Sequence, residues 1–299
     1  MAKPKVVIFG AAGFVGRNLS EHLSRAYQVV ETDAVDSSAH PGNEYVKLDI
    51  TDQEGVLRVV SGADYVVHLA AHALGPSMEN PVMNARVNIV GTLNILEAAR
   101  KQGVKKLIFT SASSVVGEAA TSPVSEDAPV SPKTPYGVAK LACEHYLRIY
   151  GELWNLDYVI FRFFNVYGPH QRSGLIPSLY AKISQGKPVE ITGDGRQIRD
   201  FIYVKDSMKF FEKAMTDNGI SRTLLNMGTG RGMSIIDIAD TAYKALGKPR
   251  LIQYLPARKG EISNFVADTA KLRATFGFVP ETPVEVGVAE SIAWLSKNP

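Results

Sequence analysis

The sequence lacks several features that define whole protein classes. Its only cysteine is Cys143, so no intrachain disulfide can form and a disulfide-stapled secreted scaffold is excluded. No apolar run approaches the ~20 residues of a membrane span, and the N-terminal run at 6–9 is too short for a signal peptide. The net charge is only +3, without a lysine or arginine run that would follow a nucleic-acid backbone. We therefore expect a cytoplasmic protein that binds neither membrane nor nucleic acid.

What is present is typical of a globular enzyme. Hydrophobic residues make up 45% and charged residues 21% of 299. In the first half, short apolar runs alternate with amphipathic segments, which predicts an α/β fold with a parallel sheet and helices on both faces. The predicted strands are 6–9, 28–32, 45–48, 65–69, 106–110 and 158–163, and the predicted helices are 13–25, 54–61, 81–102 and 135–153.

The pattern changes after Asn165, where proline and glycine become more frequent. Helices are predicted at 177–185, 204–216, 234–246 and 284–296, and short strands at 224–227 and 251–254. We expect two domains: residues 1–165, with the parallel sheet, and residues 166–299, a smaller α/β domain.

Three glycines, Gly10, Gly13 and Gly16, follow the first predicted strand directly. Glycines there permit a tight turn and let the backbone approach a pyrophosphate, and a helix starting at Gly13 directs free amides and its positive dipole end at that phosphate. A plain structural turn is the alternative, since glycine turns are common. The position between strand and helix favours dinucleotide binding and a Rossmann-type, doubly wound sheet.

Asp33 ends the second predicted strand. A carboxylate at this place accepts hydrogen bonds from the adenosine ribose hydroxyls and repels the 2′-phosphate of NADP. No arginine or lysine occurs at 34–38. The sequence therefore predicts NAD as the cofactor.

The Gly-x-x-Gly-x-x-Gly spacing resembles that of the extended short-chain dehydrogenase/reductase superfamily. The resemblance implies further cofactor contacts along the first half of the chain. They are Phe14 and Val15 between the glycines, Asp49 and Ile50 at the adenine, Leu69, Ala70 and Ala71 beneath the cofactor, and Asn88 as a brace of the active-site loops. We interpret His68, just before this small-residue segment, as a structural histidine of the core.

Tyr136 and Lys140 form the motif that carries the chemistry. A spacing of four places both side chains on one face of the predicted helix. A free tyrosine has a pKa near ~10, and we expect the lysine cation and the positive nicotinamide ring to lower it. The phenolate can then take a proton from a sugar hydroxyl while hydride leaves the same carbon. Lys140 is also predicted to hold the nicotinamide ribose.

The superfamily's catalytic serine or threonine has no direct counterpart here. Its position holds Ala112, and Val116 stands where relatives have the tyrosine of Val-Tyr-Gly. Either Ser113 or Ser111 takes over the hydroxyl role, or the tyrosine acts without a partner. We favour Ser113, because a loop leaving the strand can re-aim its side chain, and we place Ser111 at the cofactor.

The same segment separates reaction types within the family. Similar sugar dehydratases carry Asp-Glu at the positions of Ser113 and Ser114, and similar decarboxylases carry Glu at the second position. This chain has neither acid. The remaining chemistry is oxidation, reorientation of the keto-sugar and re-reduction on the other face, which is epimerisation.

The second half of the chain resembles the nucleotide-sugar site of the same family. The resemblance places Phe164 against the nicotinamide, Asn165 and Arg199 at the diphosphate, Arg258 at phosphate and Glu261 at the ribose. Arginine suits this role because its planar guanidinium grips phosphate oxygens bidentately. Residues 166–299 are therefore predicted to bind mainly the nucleotide sugar.

Across residues 10–268 the chain is most similar to the UDP-glucose (UDP-galactose) 4-epimerases. That resemblance implies a UDP-sugar substrate, with Leu175 near the uracil. Phe265 aligns with a position that gates sugar size, so we expect a bias toward UDP-glucose and UDP-galactose. It also implies a homodimer formed by the helices at 81–102 and 135–153.

Three alternatives remain open at this point. Two are enzymes: a UDP-glucuronate 4-epimerase, and a reductase or dehydrogenase of another nucleotide sugar. The third is a non-catalytic NAD-binding sensor, which is disfavoured because such proteins usually lose the tyrosine or the lysine and this chain keeps both. No metal ligands are predicted.

Overall fold

The computed structural model describes residues 3–257 and 263–298. Thirteen strands are found in this part of the chain. Their bounds are Lys5–Phe9 (β1), Gln28–Asp33 (β2), Glu44–Lys47 (β3), Tyr65–His68 (β4), Lys106–Ala112 (β5), Tyr158–Phe163 (β6), Asn165–Tyr167 (β7), Val189–Thr192 (β8), Ile198–Tyr203 (β9), Thr223–Met227 (β10), Gly232–Ser234 (β11), Ile252–Leu255 (β12) and Asn264–Phe265 (β13).

The same part of the chain contains eleven α-helices. They are Phe14–Leu23 (α1), Gln53–Val60 (α2), Leu74–Glu79 (α3), Pro81–Ala85 (α4), Gly91–Gln102 (α5), Pro135–Trp154 (α6), Leu175–Ser184 (α7), Val204–Thr216 (α8), Ile235–Leu246 (α9), Ala270–Phe276 (α10) and Val284–Lys297 (α11). None of the helices within the described ranges is long and apolar enough to cross a membrane.

The largest sheet has seven strands in the order β10-β6-β5-β4-β1-β2-β3. Neighbouring strands from β1 to β6 run parallel, and β1 pairs with both β2 and β4. The strand order therefore reverses at β1 and β4, and ligands of such sheets bind at the carboxyl ends of the strands where the order reverses. The predicted Rossmann-type, doubly wound fold is confirmed.

Helix α6 has clear sequence reasons for its position. Its first residue is Pro135, which suits the first helical turn because its missing N–H would have no partner there. Thr134 caps the helix by accepting a hydrogen bond from the Gly137 backbone N–H at 3.1 Å. The inner face of α6, with Cys143 and Leu147, packs into the core that includes Val66 and Phe109.

The predicted helix at 81–102 is interrupted. Residues Arg86–Val90 form a π-helical turn between α4 and α5. The Asn88 carbonyl within this turn accepts hydrogen bonds from Thr92 Oγ1 at 2.5 Å and from Cys143 Sγ at 3.0 Å. The sequence pattern predicted a uniform α-helix here. The structure has a wider turn because side chains insert into the hydrogen-bond ladder of the helix backbone.

The chain divides into two compact units. Unit 1 contains residues 1–117, 129–163 and 208–225, and unit 2 contains residues 118–128, 164–207 and 226–299. The predicted domain boundary after residue 165 lies close to residue 163, where the chain passes from unit 1 to unit 2. Two further segments interrupt the units along the chain: 118–128 belongs to unit 2, and 208–225 belongs to unit 1. Within unit 2, β9 pairs with β11, β13 and β7, and β12 pairs with β8.

Candidate active site

The glycine loop of unit 1 leaves no room for side chains. Gly10 has φ +84°, and a Cβ there would lie 2.5 Å from the Ala70 backbone N. A Cβ on Gly16 would lie 2.3 Å from the Gly10 carbonyl O. Gly13 forms the N-cap of α1 without a side-chain acceptor in the described residues, so the first amides of the helix are left for an anion. The loop therefore fits a pyrophosphate group.

A cavity of about 400 Å³ opens beside this loop. Its walls contain eight residues that the sequence predicted at the cofactor: Gly10, Gly13, Asp33, Asp49, Ile50, Leu69, Ala70 and Ala71. They also contain residues that were not predicted: Ala12, Thr32, Ala34, Val35, Leu48 and Val87. The cavity combines apolar walls, a carboxylate and a helix N-terminus, as an adenine dinucleotide requires.

Asp33 and Arg17 bind the backbone N–H and the backbone C=O of Ala12 in the glycine loop. Asp33 Oδ2 accepts a hydrogen bond from Ala12 N at 3.1 Å, and Arg17 Nε donates to Ala12 O at 3.0 Å. Arg17 also donates to Ser37 Oγ at 2.6 Å and to Ser38 O at 3.2 Å. Arg17 was not predicted at this site, because it lies on α1 and the basic side chains that distinguish NADP were expected only after β2.

Asn88 braces the segment that follows β4. Its Oδ1 accepts from His72 N at 2.7 Å and its Nδ2 donates to His72 O at 3.0 Å. His68, at the end of β4, is buried with Nε2 2.8 Å from Thr92 Oγ1. Burial, with a contribution from the charge of Lys140, holds the pKa of His68 well below its usual value. His68 is therefore a neutral core residue, in agreement with the structural interpretation.

Tyr136 and Lys140 lie on the first two turns of α6. The Lys140 ammonium is 5.6 Å from the centre of the Tyr136 ring and 4.6 Å from that of Phe109. It donates a hydrogen bond to Thr110 O at 2.8 Å. Lys140 is only 2% exposed, and burial lowers its pKa to about 8.

The pKa of Tyr136 differs from the expectation. Burial raises it to about 12. The prediction that the lysine cation lowers this pKa is wrong for the protein groups alone, because burial disfavours the charged phenolate and is the largest contribution. Lys140 also directs its ammonium to a carbonyl of β5.

The structure after Thr110 distinguishes Ser111 from Ser113 as the candidate hydroxyl group. Ser111, within β5, donates its hydroxyl hydrogen to Glu144 Oε1 at 2.5 Å and is 3% exposed. Ser111 therefore has no hydroxyl hydrogen left for the substrate oxygen, and it is not among the residues that line the cofactor cavity. Ser114 Oγ is completely enclosed and has no partner among the described residues. Ser113, in the 3₁₀ turn after β5, is only partly buried.

Unit 2 contains a separate cavity of about 330 Å³. Three predicted substrate residues, Asn165, Leu175 and Arg199, line it, together with Glu190, Ile191, Thr192, Gln197, Phe201 and Ile235. Asn165 Nδ2 donates to Asp200 O at 3.0 Å. The buried Asp200 carboxylate accepts from Thr229 N at 2.8 Å and Gly230 N at 2.9 Å, which holds the loop after β10.

Two predicted aromatic residues lie together in unit 2. The rings of Phe164 and Phe265 stack with centres 5.3 Å apart and an interplanar angle of 30°. Phe265 pairs with Arg199 across β13 and β9 and is 7% exposed. The predicted residues Arg258 and Glu261 lie outside the described residues.

The sequence matches the NAD dependent epimerase/dehydratase family over residues 6–228. The chain belongs to this family. The predicted membership of the extended short-chain dehydrogenase/reductases is thereby confirmed, and the cofactor of this epimerase/dehydratase family member is NAD.

Its relatives in the family act on several sugars. A UDP-glucose 4-epimerase of Mycolicibacterium smegmatis is 33% identical, over 96% of this chain and 97% of that protein. A UDP-N-acetylglucosamine 4-epimerase structure from Methanobrevibacter ruminantium, with UDP-N-acetylmuramic acid, has a TM-score of 0.93 at 30% identity and covers 100% of both chains. A UDP-glucuronic acid 4-epimerase of Bacillus cereus, with UDP-glucuronic acid and NAD, has a TM-score of 0.89 at 30% identity and covers 98% of this chain and 99% of that chain.

Proposed function

We propose that the protein inverts the C4 hydroxyl of a UDP-hexose, with UDP-galactose and UDP-glucose as its substrate pair. The observation that carries the proposal is the position of the Tyr136 and Lys140 pair. Lys140 is bonded to Thr110 on β5, and Thr110 Oγ1 donates to His68 O at 3.3 Å on β4. The segment directly after His68 lines the cofactor cavity. These bonds connect Lys140 to the strands whose ends border that cavity, which supports a place for the pair beside the nicotinamide half of NAD.

When bound, NAD would supply a hydride acceptor for C4 and, once reduced, a hydride donor for the opposite face of the sugar. Tyr136 takes the proton of the C4 hydroxyl and gives it back on reduction. With a pKa of about 12 from the protein groups, the phenol needs further positive charge to ionise, which an oxidised nicotinamide beside it would supply. Lys140, with a pKa of about 8, is mostly charged at neutral pH and holds the nicotinamide ribose.

Ser113 is the hydroxyl that we assign to the substrate oxygen beside the tyrosine. Ala112 has no polar atom, Ser111 donates to Glu144, and Ser114 Oγ is enclosed. Ser113 and Ser114 both lie partly buried in the turn that follows β5, and of the two it is Ser114 whose Oγ is enclosed. A Ser113→Ala variant is expected to lose turnover, and a Ser114→Ala variant serves as its matched control.

The substrate's nucleotide belongs in the cavity of unit 2. Arg199 and Asn165 suit the diphosphate, and Leu175 suits an apolar contact with uracil. Arg258 and Glu261 stay predictions for phosphate and ribose. Acids are absent at positions 113 and 114, which favours epimerisation over dehydration and decarboxylation.

Phe265 supports a preference for sugars without an N-acetyl group, because it is buried and stacked on Phe164 and cannot make room without moving a second ring. Comparison of initial rates with UDP-galactose and UDP-N-acetylglucosamine tests this preference. Comparable rates would show that Phe265 does not gate the sugar. UDP-glucuronate is the second candidate, since a similar solved epimerase holds UDP-glucuronic acid.

The experiment that tests the function is incubation of the purified protein with UDP-galactose and no added NAD. We expect UDP-glucose as the product and bound NAD by mass spectrometry, because the cofactor is regenerated in every turnover. A dehydrogenase would instead stop once its bound NAD had been converted to NADH, and it would form further product only after NAD was added. Bound NAD with no turnover of any UDP-sugar would favour the non-catalytic sensor.

A homodimer is the oligomeric state that we propose. Large apolar side chains lie exposed on α4, the π-helical turn and α6 of unit 1. They include Val82 (80% exposed), Val90 (48%), Val138 (53%) and Leu153 (67%). A second copy would cover them, and light scattering of the purified protein should give twice the 32.5 kDa chain mass.

A further inference from the structure

A buried carboxylate joins the helix of Tyr136 and Lys140 to two strands. Glu144 on α6 accepts hydrogen bonds from Arg162 on β6, at 2.9 Å from Nε and 2.7 Å from Nη2. It also accepts one from Ser111 on β5, at 2.5 Å. The three residues are 6%, 4% and 3% exposed. The contact with the arginine is a bidentate, charge-assisted pair, which constrains both distance and orientation.

The position of this carboxylate determines what it constrains. Ser111 and Arg162 face each other in the register of β5 and β6, so Glu144 is bonded to both strands at one level of the sheet. Glu144 follows Lys140 by four residues and Tyr136 by eight, which places all three on one helix face. These bonds fix both the rotation of α6 and its displacement along its axis.

Stability alone is a weak explanation for such a group. Removing two charges from water offsets most of their mutual attraction, and well-packed apolar residues of similar volume usually stabilise a core as well or better. Unit 1 contains an extensive apolar core around α6 without this pair. A specific orientation of the helix is the property that apolar packing would not supply.

The charge of Glu144 also reaches Lys140. Burial lowers the pKa of Lys140 to about 8, and the negative charge of Glu144 acts in the opposite direction. Loss of that charge, with the Arg162 cation left in place, would therefore favour the neutral lysine. A protonated Lys140 is the stronger hydrogen-bond donor to a ribose hydroxyl, and only the protonated form attracts a phenolate by its charge.

We propose that Glu144, held by Arg162 and Ser111, is a positioning residue that sets both the place and the charge of Lys140 in the cofactor site. The inference rests on the proposed place of Lys140 at the nicotinamide ribose; only its kinetic part also rests on the proposed reaction. Sequence reasoning missed the residue, because its partners are 33 positions before it and 18 after it.

Two variants separate charge from position. Glu144→Gln keeps the shape and removes the charge, whereas Glu144→Asp keeps the charge and shortens the side chain. The matched control is Lys106→Met, at the opposite end of β5, where a 2% exposed lysine donates to Asp217 O at 2.8 Å and Ile220 O at 2.7 Å. The measurements are the dissociation constant of NAD and kcat, each from about pH 6 to pH 9, with thermal unfolding of every variant.

We expect NAD binding by the wild type to weaken above about pH 8, as Lys140 loses its proton. In Glu144→Gln the pH midpoint of this weakening moves down by about one unit, because the negative charge that favours protonated Lys140 is gone. Glu144→Asp keeps the wild-type midpoint but lowers kcat by about 10- to 100-fold, the usual loss for a displaced catalytic group. Lys106→Met lowers the unfolding temperature and leaves the midpoint unchanged.

Two results together would overturn the proposal and leave Glu144 a purely structural residue. They are an unchanged pH midpoint of NAD binding in Glu144→Gln and an unchanged kcat in Glu144→Asp. An equal midpoint shift in Lys106→Met would overturn it as well. If Glu144→Gln does not fold, Ser111→Ala removes a single bond to the carboxylate, and kcat should fall by about two- to tenfold; unchanged kcat contradicts the proposal. Failure of the proposed function would appear as no turnover by the wild type, with the NAD midpoints unaffected.

Discussion

Substitution of Gly10 by alanine tests the fit of the glycine loop to its cofactor. The backbone of Gly10 has φ +84°, a conformation that costs an L-residue about 1–2 kcal/mol. The new Cβ would also lie 2.5 Å from Ala70 N and 2.8 Å from Leu69 C. Both are backbone atoms and cannot rotate away, so overpacking adds about 1–3 kcal/mol. The expected total loss of unfolding free energy is about 2–5 kcal/mol.

Gly103→Ala is the matched control in the same unit. Gly103 follows α5 with φ +67°, and a Cβ there would meet nothing within 4 Å. It should lose only the conformational component of about 1–2 kcal/mol. Urea unfolding of both variants, with linear extrapolation, measures the difference.

Binding of NAD completes this comparison. Relief of the clash in Gly10→Ala requires movement of the segment 69–71, which lines the cofactor cavity, so NAD should bind weakly or not at all. Gly103→Ala should bind NAD like the wild type. Equal destabilisation of the two variants, or wild-type NAD affinity in Gly10→Ala, would refute the contact between the glycine loop and the segment after β4.

Three further predictions concern the charged and proton-transfer groups. Tyr136→Phe should lower kcat by about 10²- to 10⁴-fold with NAD content unchanged, because only the proton-transfer group is lost; a smaller loss in a rate assay argues against its role. Asp33→Asn should weaken NAD binding by about ten- to a hundredfold in calorimetry, the usual value of hydrogen bonds to a charged group, and unchanged affinity would remove Asp33 from the ribose site. The pKa of Lys140 is about 8 when folded and 10.5 when free, so the unfolded chain binds the extra proton between these values and stability rises with pH in that window. Relative to Lys140→Met, wild-type unfolding free energy should therefore gain about 2 kcal/mol between about pH 7 and pH 9.5, and a flat difference would contradict the lowered pKa.

The first half of the fold could be predicted because its strands are buried on both faces. Strands β1 and β4 are short, mainly apolar runs bounded by polar or glycine residues, and β6 is apolar apart from Arg162. The predicted bounds of all three agree with the structure to within one residue. Strand β9 was missed, since it contains Arg199 and Asp200 within an apolar run. Asp200 is buried only because backbone amides far along the chain donate to it, and no local pattern shows such partners.

Where a short motif carries the chemistry, the residues that it names lie together: the glycine loop, Asp33 and the segment 69–71 line one cavity. Effects that depend on the environment of a side chain could not be predicted. Burial raises the pKa of Tyr136, and a distant carboxylate engages Ser111. Both effects depend on packing between elements, which spacing along the chain does not reveal.

The most direct test of the central claim follows the hydrogen at C4. UDP-galactose carrying deuterium at C4 is incubated with the purified protein in ordinary water, and the product is analysed by mass spectrometry and NMR. Because the proposed reaction removes and returns the same hydrogen, UDP-glucose should form with the deuterium still on C4. Loss of the label to water, or the absence of UDP-glucose while NAD is bound, would contradict inversion at C4 by internal oxidation and reduction.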